Sequence, residues 1–172
     1  PQGKLYFMCG LRPKPAGDVR QTAGRPRRVT QAAREPPAPR NIRCRVPKGG
    51  FVPKPHTPFQ WAGQLGAEAT DARLVKLRDA IRADKNYGKA IGFRYHDGKP
   101  GVIEGLLSRG DRRVGKVIRE VWERGGRFDG WSEHFSYERW AEATAAALAD
   151  TPVDLAWYTT REREYNEVLP WD

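Results

Sequence analysis

Lys4-Leu5-Tyr6-Phe7-Met8-Cys9-Gly10-Leu11 is the stretch on which the fold turns. It is a short apolar run punctuated by a glycine, the pattern of a strand buried on both faces in a parallel sheet. Further along, Ile42, Cys44 and Val46 alternate with Arg43 and Arg45. That period of two predicts a second strand, which Pro47 and the Gly49-Gly50 pair bring to an end. Between the two, residues 12–40 are dominated by Arg, Pro, Ala and Gly, with prolines at 13, 15, 26, 36, 37 and 39. A stretch with so few large apolar residues and so many breakers is expected to be irregular or disordered.

Beyond the second strand, Phe51 to Trp61 reads Phe-Val-Pro-Lys-Pro-His-Thr-Pro-Phe-Gln-Trp, a loop whose prolines restrict the backbone and whose aromatic side chains can pin it down. Thr70 or Asp71 can cap a helix running to about Asp84, with Leu74, Leu77 and Ile81 on one face. Ile91, Phe93 and Tyr95 alternate as a short strand. From Pro100 to Arg124 the apolar positions keep helical spacing on either side of Gly110 and Asp111, which predicts two helices. Asp111 is placed to cap the second, and Gly125-Gly126 to stop it. Ser136 is the expected N-cap of a last helix, with Phe135 and Trp140 as a hydrophobic staple, fading near Asp150-Thr151-Pro152. There is no internal repeat. The reading is an α/β chain.

The net charge of +10 lies at one end. Residues 1–60 hold thirteen Lys and Arg against two acids, whereas residues 61–172 hold eighteen against nineteen. Clustered cations can bind RNA by releasing counterions from phosphate. Aromatic residues able to stack on bases are missing between Arg12 and Arg45, so the charge reads as accidental before functional. The two cysteines are far apart in the sequence, and no apolar run spans a bilayer or serves as a signal, so a reduced, cytoplasmic chain without a membrane partner is expected. The start at Pro1 suggests a truncated chain.

Three segments carry a resemblance: Phe51 to Trp61, Ser108 to Arg113 (Ser-Arg-Gly-Asp-Arg-Arg) and Phe128 to Phe135 (Phe-Asp-Gly-Trp-Ser-Glu-His-Phe). In this order they resemble the carboxy-terminal part of bacterial radical-SAM proteins with an amino-terminal cobalamin-binding domain, as does the ending Glu167 to Asp172. The resemblance is specific from about residue 42 onward and degraded over 12–41. There the family continues with Pro-Thr-Glu-Thr-Asp and an amphipathic helix, while this chain has Arg12-Pro13-Lys14-Pro15 and no helical pattern, as a local change of reading frame would produce. The resemblance implies the terminal strands of a partial (β/α) barrel within residues 1–61, followed by a mainly helical α+β extension over 62–172. It also implies a 4Fe-4S cluster, S-adenosylmethionine and cobalamin in the parent protein. The cluster needs the thiolates of a Cys-x3-Cys-x2-Cys motif, which this chain lacks. On this reading the chain binds none of these cofactors alone, has no catalytic or metal-ligating residue of its own, and has as partner the upstream portion that holds the cluster and cobalamin.

The residues that would face substrate or S-adenosylmethionine fall in three groups. Lys54, His56 and Gln60 lie on the proline-fixed loop leaving a strand, the edge where α/β barrels bind ligands; the alternative is that His56 and Gln60 only hydrogen-bond the loop into shape. Arg109, Asp111, Arg112 and Arg113 offer guanidinium forks and a helix start to an anionic group, or else form an Asp cap paired with neighbouring arginines. Asp129, Trp131, Glu133 and His134 put a carboxylate, an indole and an imidazole in one turn, suited to acid-base work, unless Phe128, Trp131 and Phe135 simply dock the turn onto the core. Cys9 and Cys44 read as small core residues. The competing function is a stand-alone basic module binding RNA or a ribonucleoprotein.

Overall fold

The computed structural model describes residues 2–11, 18–34 and 43–172. Contacts divide the chain into two units, neither continuous in sequence: residues 1–51 with 67–98, and residues 52–66 with 99–172.

In the first unit the apolar run at Lys4 to Leu11 is not one strand buried on both faces. Tyr6 and Met8 are each 72% exposed. The strand is interrupted at Leu5 and Tyr6, although the Leu5 amide still donates to the Arg45 carbonyl at 2.9 Å, leaving β1 (Gln2–Lys4) and β2 (Phe7–Cys9). Both pair in parallel with β3 (Arg43–Gly50), β1 along Arg43–Arg45 and β2 along Lys48–Gly50. On the opposite edge of β3 runs β4 (Ile91–Tyr95), also parallel, with Cys44 facing Ile91 and Lys48 facing Tyr95. Gly10 takes φ 107°, a conformation costly for any residue with a Cβ, as the chain leaves β2. The Phe51 amide donates to the Cys9 carbonyl at 2.6 Å. Ile42 lies outside the described residues.

The proline-arginine stretch is the main correction. Residues 18–32 form a helix, α1 (Asp18–Ala32), with Pro26 inside it. Among its described side chains the buried positions are Pro26 and Thr30, with half-buried Ala23 packed against the core of this unit. Spacings of three and four put them on one helical face. The described part of that face, Ala23, Pro26 and Thr30, carries small side chains, which produce no apolar periodicity and escape a pattern search. The Thr30 hydroxyl donates to the Pro26 carbonyl at 2.8 Å. Arg27 and Arg34 lie over the Tyr87 ring, and Arg27 pairs with Asp84 at 3.5 Å. Residues 12–17 and 35–40 of the same stretch lie outside the described residues.

Helix α2 (Ala67–Arg82) begins three residues before the expected cap. Thr70 is buried inside it, and the Asp71 carboxylate accepts from the Gly98 amide at 2.7 Å instead of capping. Leu74, Leu77 and Ile81 form the expected buried face. Helices α1 and α2 pack on each other and on the face of the sheet that carries Cys44, Val46 and Ile91. The arrangement is strand, helix, strand, helix, strand, with the strands adjacent in chain order.

The second unit is helical: α3 (Gly98–Arg109), α4 (Val114–Glu123), α5 (Tyr137–Ala147) and the single turn α6 (Leu155–Tyr158). Its core joins Ile103 and Leu106 of α3, Val114, Val117 and Val121 of α4, and Trp140 of α5, with Tyr158 beneath them. The Ser136 hydroxyl caps α5 by accepting from the Arg139 amide, and Phe135 packs on the cluster containing Trp140. Gly125, at φ 82°, ends α4. Asp111 lies two residues before the cap position: α4 starts after Arg113, whose amide donates to the Asp111 carboxylate. The turn at 128–135 does not dock as expected. Phe128 and Trp131 are 74% and 64% exposed, and only Phe135 reaches the core.

Candidate functional site

Two constellations of polar residues stand out, one in each unit. In the second unit, the loop from Val52 to Gly66 lies alongside the segment after α6. The Gln64 amide donates to the Thr159 carbonyl at 3.1 Å and the Arg163 amide to the Trp61 carbonyl at 2.8 Å. Contact is so close that a Cβ on Gly63 would stand 2.3 Å from the Thr160 carbonyl oxygen. Arg109, wholly buried at the end of α3, fastens this seam. Its guanidinium donates to the carbonyls of Thr159 (2.8 Å) and Gln60 (3.5 Å). Burial, with the positive charges of Arg163 and Arg161, pushes its pKa down to about 10. The countercharge is Glu167, bonded to Arg161 and paired with Arg163 at 3.3 Å. The Arg161 bond comes first in holding the Glu167 carboxyl below its ordinary range. Arg161 and Arg163 also lie over the Trp157 ring.

The sequence-predicted residues are distributed around this seam. Gln60 joins three segments: its side-chain oxygen accepts from the His56 amide (3.0 Å) and from Trp171 Nε1 (2.9 Å), while its carbonyl faces Arg109. His56 is exposed and holds φ 57°. Lys54 donates to the Glu104 carboxylate and to the Ser108 hydroxyl at 2.8 Å. The Asp111 carboxylate accepts from Arg113 through backbone and guanidinium and from the buried Tyr158 hydroxyl at 3.1 Å. The Arg113 bond lowers the Asp111 pKa; burial first, then the bond to Asp111, raises that of Tyr158 to about 12. Arg112 is exposed.

The third group is not brought together. Asp129 accepts from Trp140 Nε1 at 3.2 Å and pairs with Arg139, Glu133 accepts from Ser132, and His134 stands against the Phe128 ring. Glu133 and His134 face solvent. These contacts tie Asp129 to α5 and leave the carboxylate and imidazole of the turn without a shared target.

The second constellation lies on the first unit's sheet. Strand alternation turns Cys44 and Val46 toward α1 and α2, and turns Arg43 and Arg45 to the other face. Lys4 stands opposite Arg45 in register, with Gly92 on the other side of Arg45. Together with Lys89 and Arg94 they line a cavity of about 510 Å³. No described acid pairs with Arg43, Arg45, Lys89 or Arg94, and Lys4 lies over the Tyr6 ring at 4.8 Å. The sequence signal for this face is the polar half of the alternation at Arg43 and Arg45, resumed on the adjacent strand β4 by Arg94.

Among the described residues no group of three His, Cys, Asp or Glu is placed to hold a metal ion. The cluster that the resemblance implies takes three thiolates. Cys9 and Cys44 are both buried, and burial raises the Cys44 pKa, against its thiolate. The cysteines of this chain therefore do not fit a cluster. No described helix is long and apolar enough to cross a membrane. Comparison with protein-family models, with curated proteins and with solved structures gave no match.

Proposed function

We propose that this chain is the carboxy-terminal part of a cobalamin-binding radical-SAM protein, closing its barrel and shaping the substrate side without catalysing a reaction by itself. One observation carries the reading beyond the sequence resemblance. Three parallel strand lines follow one another in chain order, and both connecting helices pack on one face. That is the local pattern of a (β/α) barrel, in which the helix-free face points inward. The finding that residues 18–32 are helical supplies the connection which the sequence alone lacks.

In this role the residues of the second unit hold shape. Arg109, Gln60 and Glu167 fix the loop over 52–66 against the chain's last segment, and no step of bond cleavage passes through them. S-adenosylmethionine cleavage belongs to the cluster, whose thiolates come from elsewhere. The reading is tested by co-expressing this chain with an upstream segment carrying Cys-x3-Cys-x2-Cys and measuring 5′-deoxyadenosine after anaerobic cluster loading. Cleavage that requires both pieces, together with their co-purification, is the expected result. An upstream segment equally active alone, which does not retain this chain, would overturn it.

A further inference from the structure

We propose that the face of the first unit's sheet opposite α1 and α2 is a binding site for a small, multiply phosphorylated molecule, held by Arg43, Arg45 and Arg94 with Lys4 and Lys89. A parallel sheet is ordinarily covered on both faces. Here α1 and α2 cover one face, and the other presents five cations around a cavity of about 510 Å³, within the range of small-molecule sites.

The five cations, all solvent-exposed, gather like charge on one face. Lys4 and Arg45 are register partners on adjacent strands, which stand about 4.8 Å apart, and like charges directly opposite one another destabilise a sheet. No described carboxylate offsets Arg43, Arg45, Lys89 or Arg94. A bound polyanion relieves that repulsion, and guanidinium forks match phosphate oxygens two at a time.

Gly92 supplies the space. It faces Arg45 in register and precedes Arg94 by two residues, so it sits on the cavity floor among the cations. A Cβ built there meets only the Cys44 carbonyl oxygen, at 3.9 Å, so the backbone does not require glycine. A glycine inside a strand weakens it and commonly marks a close approach by a ligand. Size and lining decide the class of occupant. The lining carries no aromatic ring for stacking bases, which favours a compact phosphate compound over single-stranded nucleic acid. The lining takes Arg43 and Arg45 from the first half of β3, Lys4 from the last position of β1 and Arg94 from near the end of β4, and it includes none of the residues assigned to the pocket of the enzyme reading. The site therefore does not depend on the enzyme reading.

The test is calorimetric titration of the whole chain with inorganic pyrophosphate at fixed ionic strength. Saturable one-site binding is expected, weakened about tenfold or more by Arg45→Gln and by Arg94→Gln, because each removes hydrogen bonds to a charged group. Gly92→Val should abolish binding by filling the floor, with an unchanged far-ultraviolet spectrum and unfolding midpoint. If Gly92→Val does not fold, the two charge variants still decide. Absence of binding, or equal affinity in wild type, Arg45→Gln and Arg94→Gln, would overturn the site. So would tighter binding of polyglutamate or single-stranded RNA than of pyrophosphate, which would put a macromolecule there. The measurement needs no cluster: failed rescue of cleavage with intact pyrophosphate binding would sink only the enzyme reading, and rescue without binding only this one.

Discussion

Replacing Asp111 probes the polar centre of the second unit most directly. Its carboxylate accepts from the Arg113 amide, the Arg113 guanidinium and the Tyr158 hydroxyl, and Tyr158 is completely buried. Asp111→Ala leaves that hydroxyl without its acceptor, costing about 1–3 kcal/mol. The pair with Arg113, 34% exposed on the Arg113 side, adds up to about 1 kcal/mol after solvent screening. The expected loss is therefore about 1–4 kcal/mol in urea unfolding followed by tryptophan fluorescence. Asp111→Asn retains an oxygen for the phenol and should lose only about 1 kcal/mol. Tyr158→Phe should cost about 1 kcal/mol, and the double variant should show a coupling of similar size. Because the Arg113 bond depresses the Asp111 pKa, its contribution is complete above the ordinary carboxylate pKa and is lost as pH falls through the depressed value. Asp111→Asn should remove that part of the acid sensitivity. Tyr158 is displaced in the other sense. With its pKa raised from 10.0 to about 12, the neutral phenol favours the folded state, and stability declines as pH rises between those values. In a phenolate absorbance titration one of the six tyrosines should ionise last, and earlier in Asp111→Asn. A coupling of zero between positions 111 and 158, or a late-ionising tyrosine indifferent to Asp111→Asn, would refute the network.

Gly63→Ala should destabilise the chain by about 1–3 kcal/mol in the same unfolding assay, since its Cβ would meet the Thr160 carbonyl oxygen at 2.3 Å. Gly66→Ala, with nothing within 4 Å, should be neutral or slightly stabilising, and equal effects at the two positions would contradict the close seam. Ser136→Ala should cost about 1 kcal/mol through loss of the α5 cap, and an unchanged unfolding midpoint would argue against capping there. Phe128→Gly should stabilise by roughly 1 kcal/mol, because an exposed phenylalanine now holds φ 57°; a loss of stability would show that its contact with His134 matters.

How far the fold is legible follows from which side chains carry it. Leu74, Leu77 and Ile81, or Val114, Val117 and Val121, write their helices into the sequence because large apolar residues recur at helical spacing. Helix α1 is silent, because its described buried positions, Ala23, Pro26 and Thr30, carry small side chains and Gly24 and Pro26 argue against a helix locally. Tertiary packing on β3 and β4 overrides that local preference. At the site, Gln60 and Arg109 sit within motifs that draw attention in the sequence. Their partners do not: Thr159, bonded by Arg109, and Trp171, bonded to Gln60, lie fifty residues or more away, and nothing in either motif announces them. The cations of the sheet are legible only once alternation is combined with knowledge of which face the helices cover. Arg43 and Arg45 otherwise read as the solvent half of an ordinary strand.

The order of the strands has a practical consequence for anyone making this protein. β3 is paired on both sides, but the outer margins of β1 with β2 and of β4 carry backbone amides and carbonyls with no ladder partner among the described residues. Such margins recruit further strands from other molecules. Purified alone, the chain should associate increasingly with concentration. A second polypeptide able to lie along either margin should keep it monodisperse, so solubility on co-expression offers a screen for natural neighbours that requires no assay of activity.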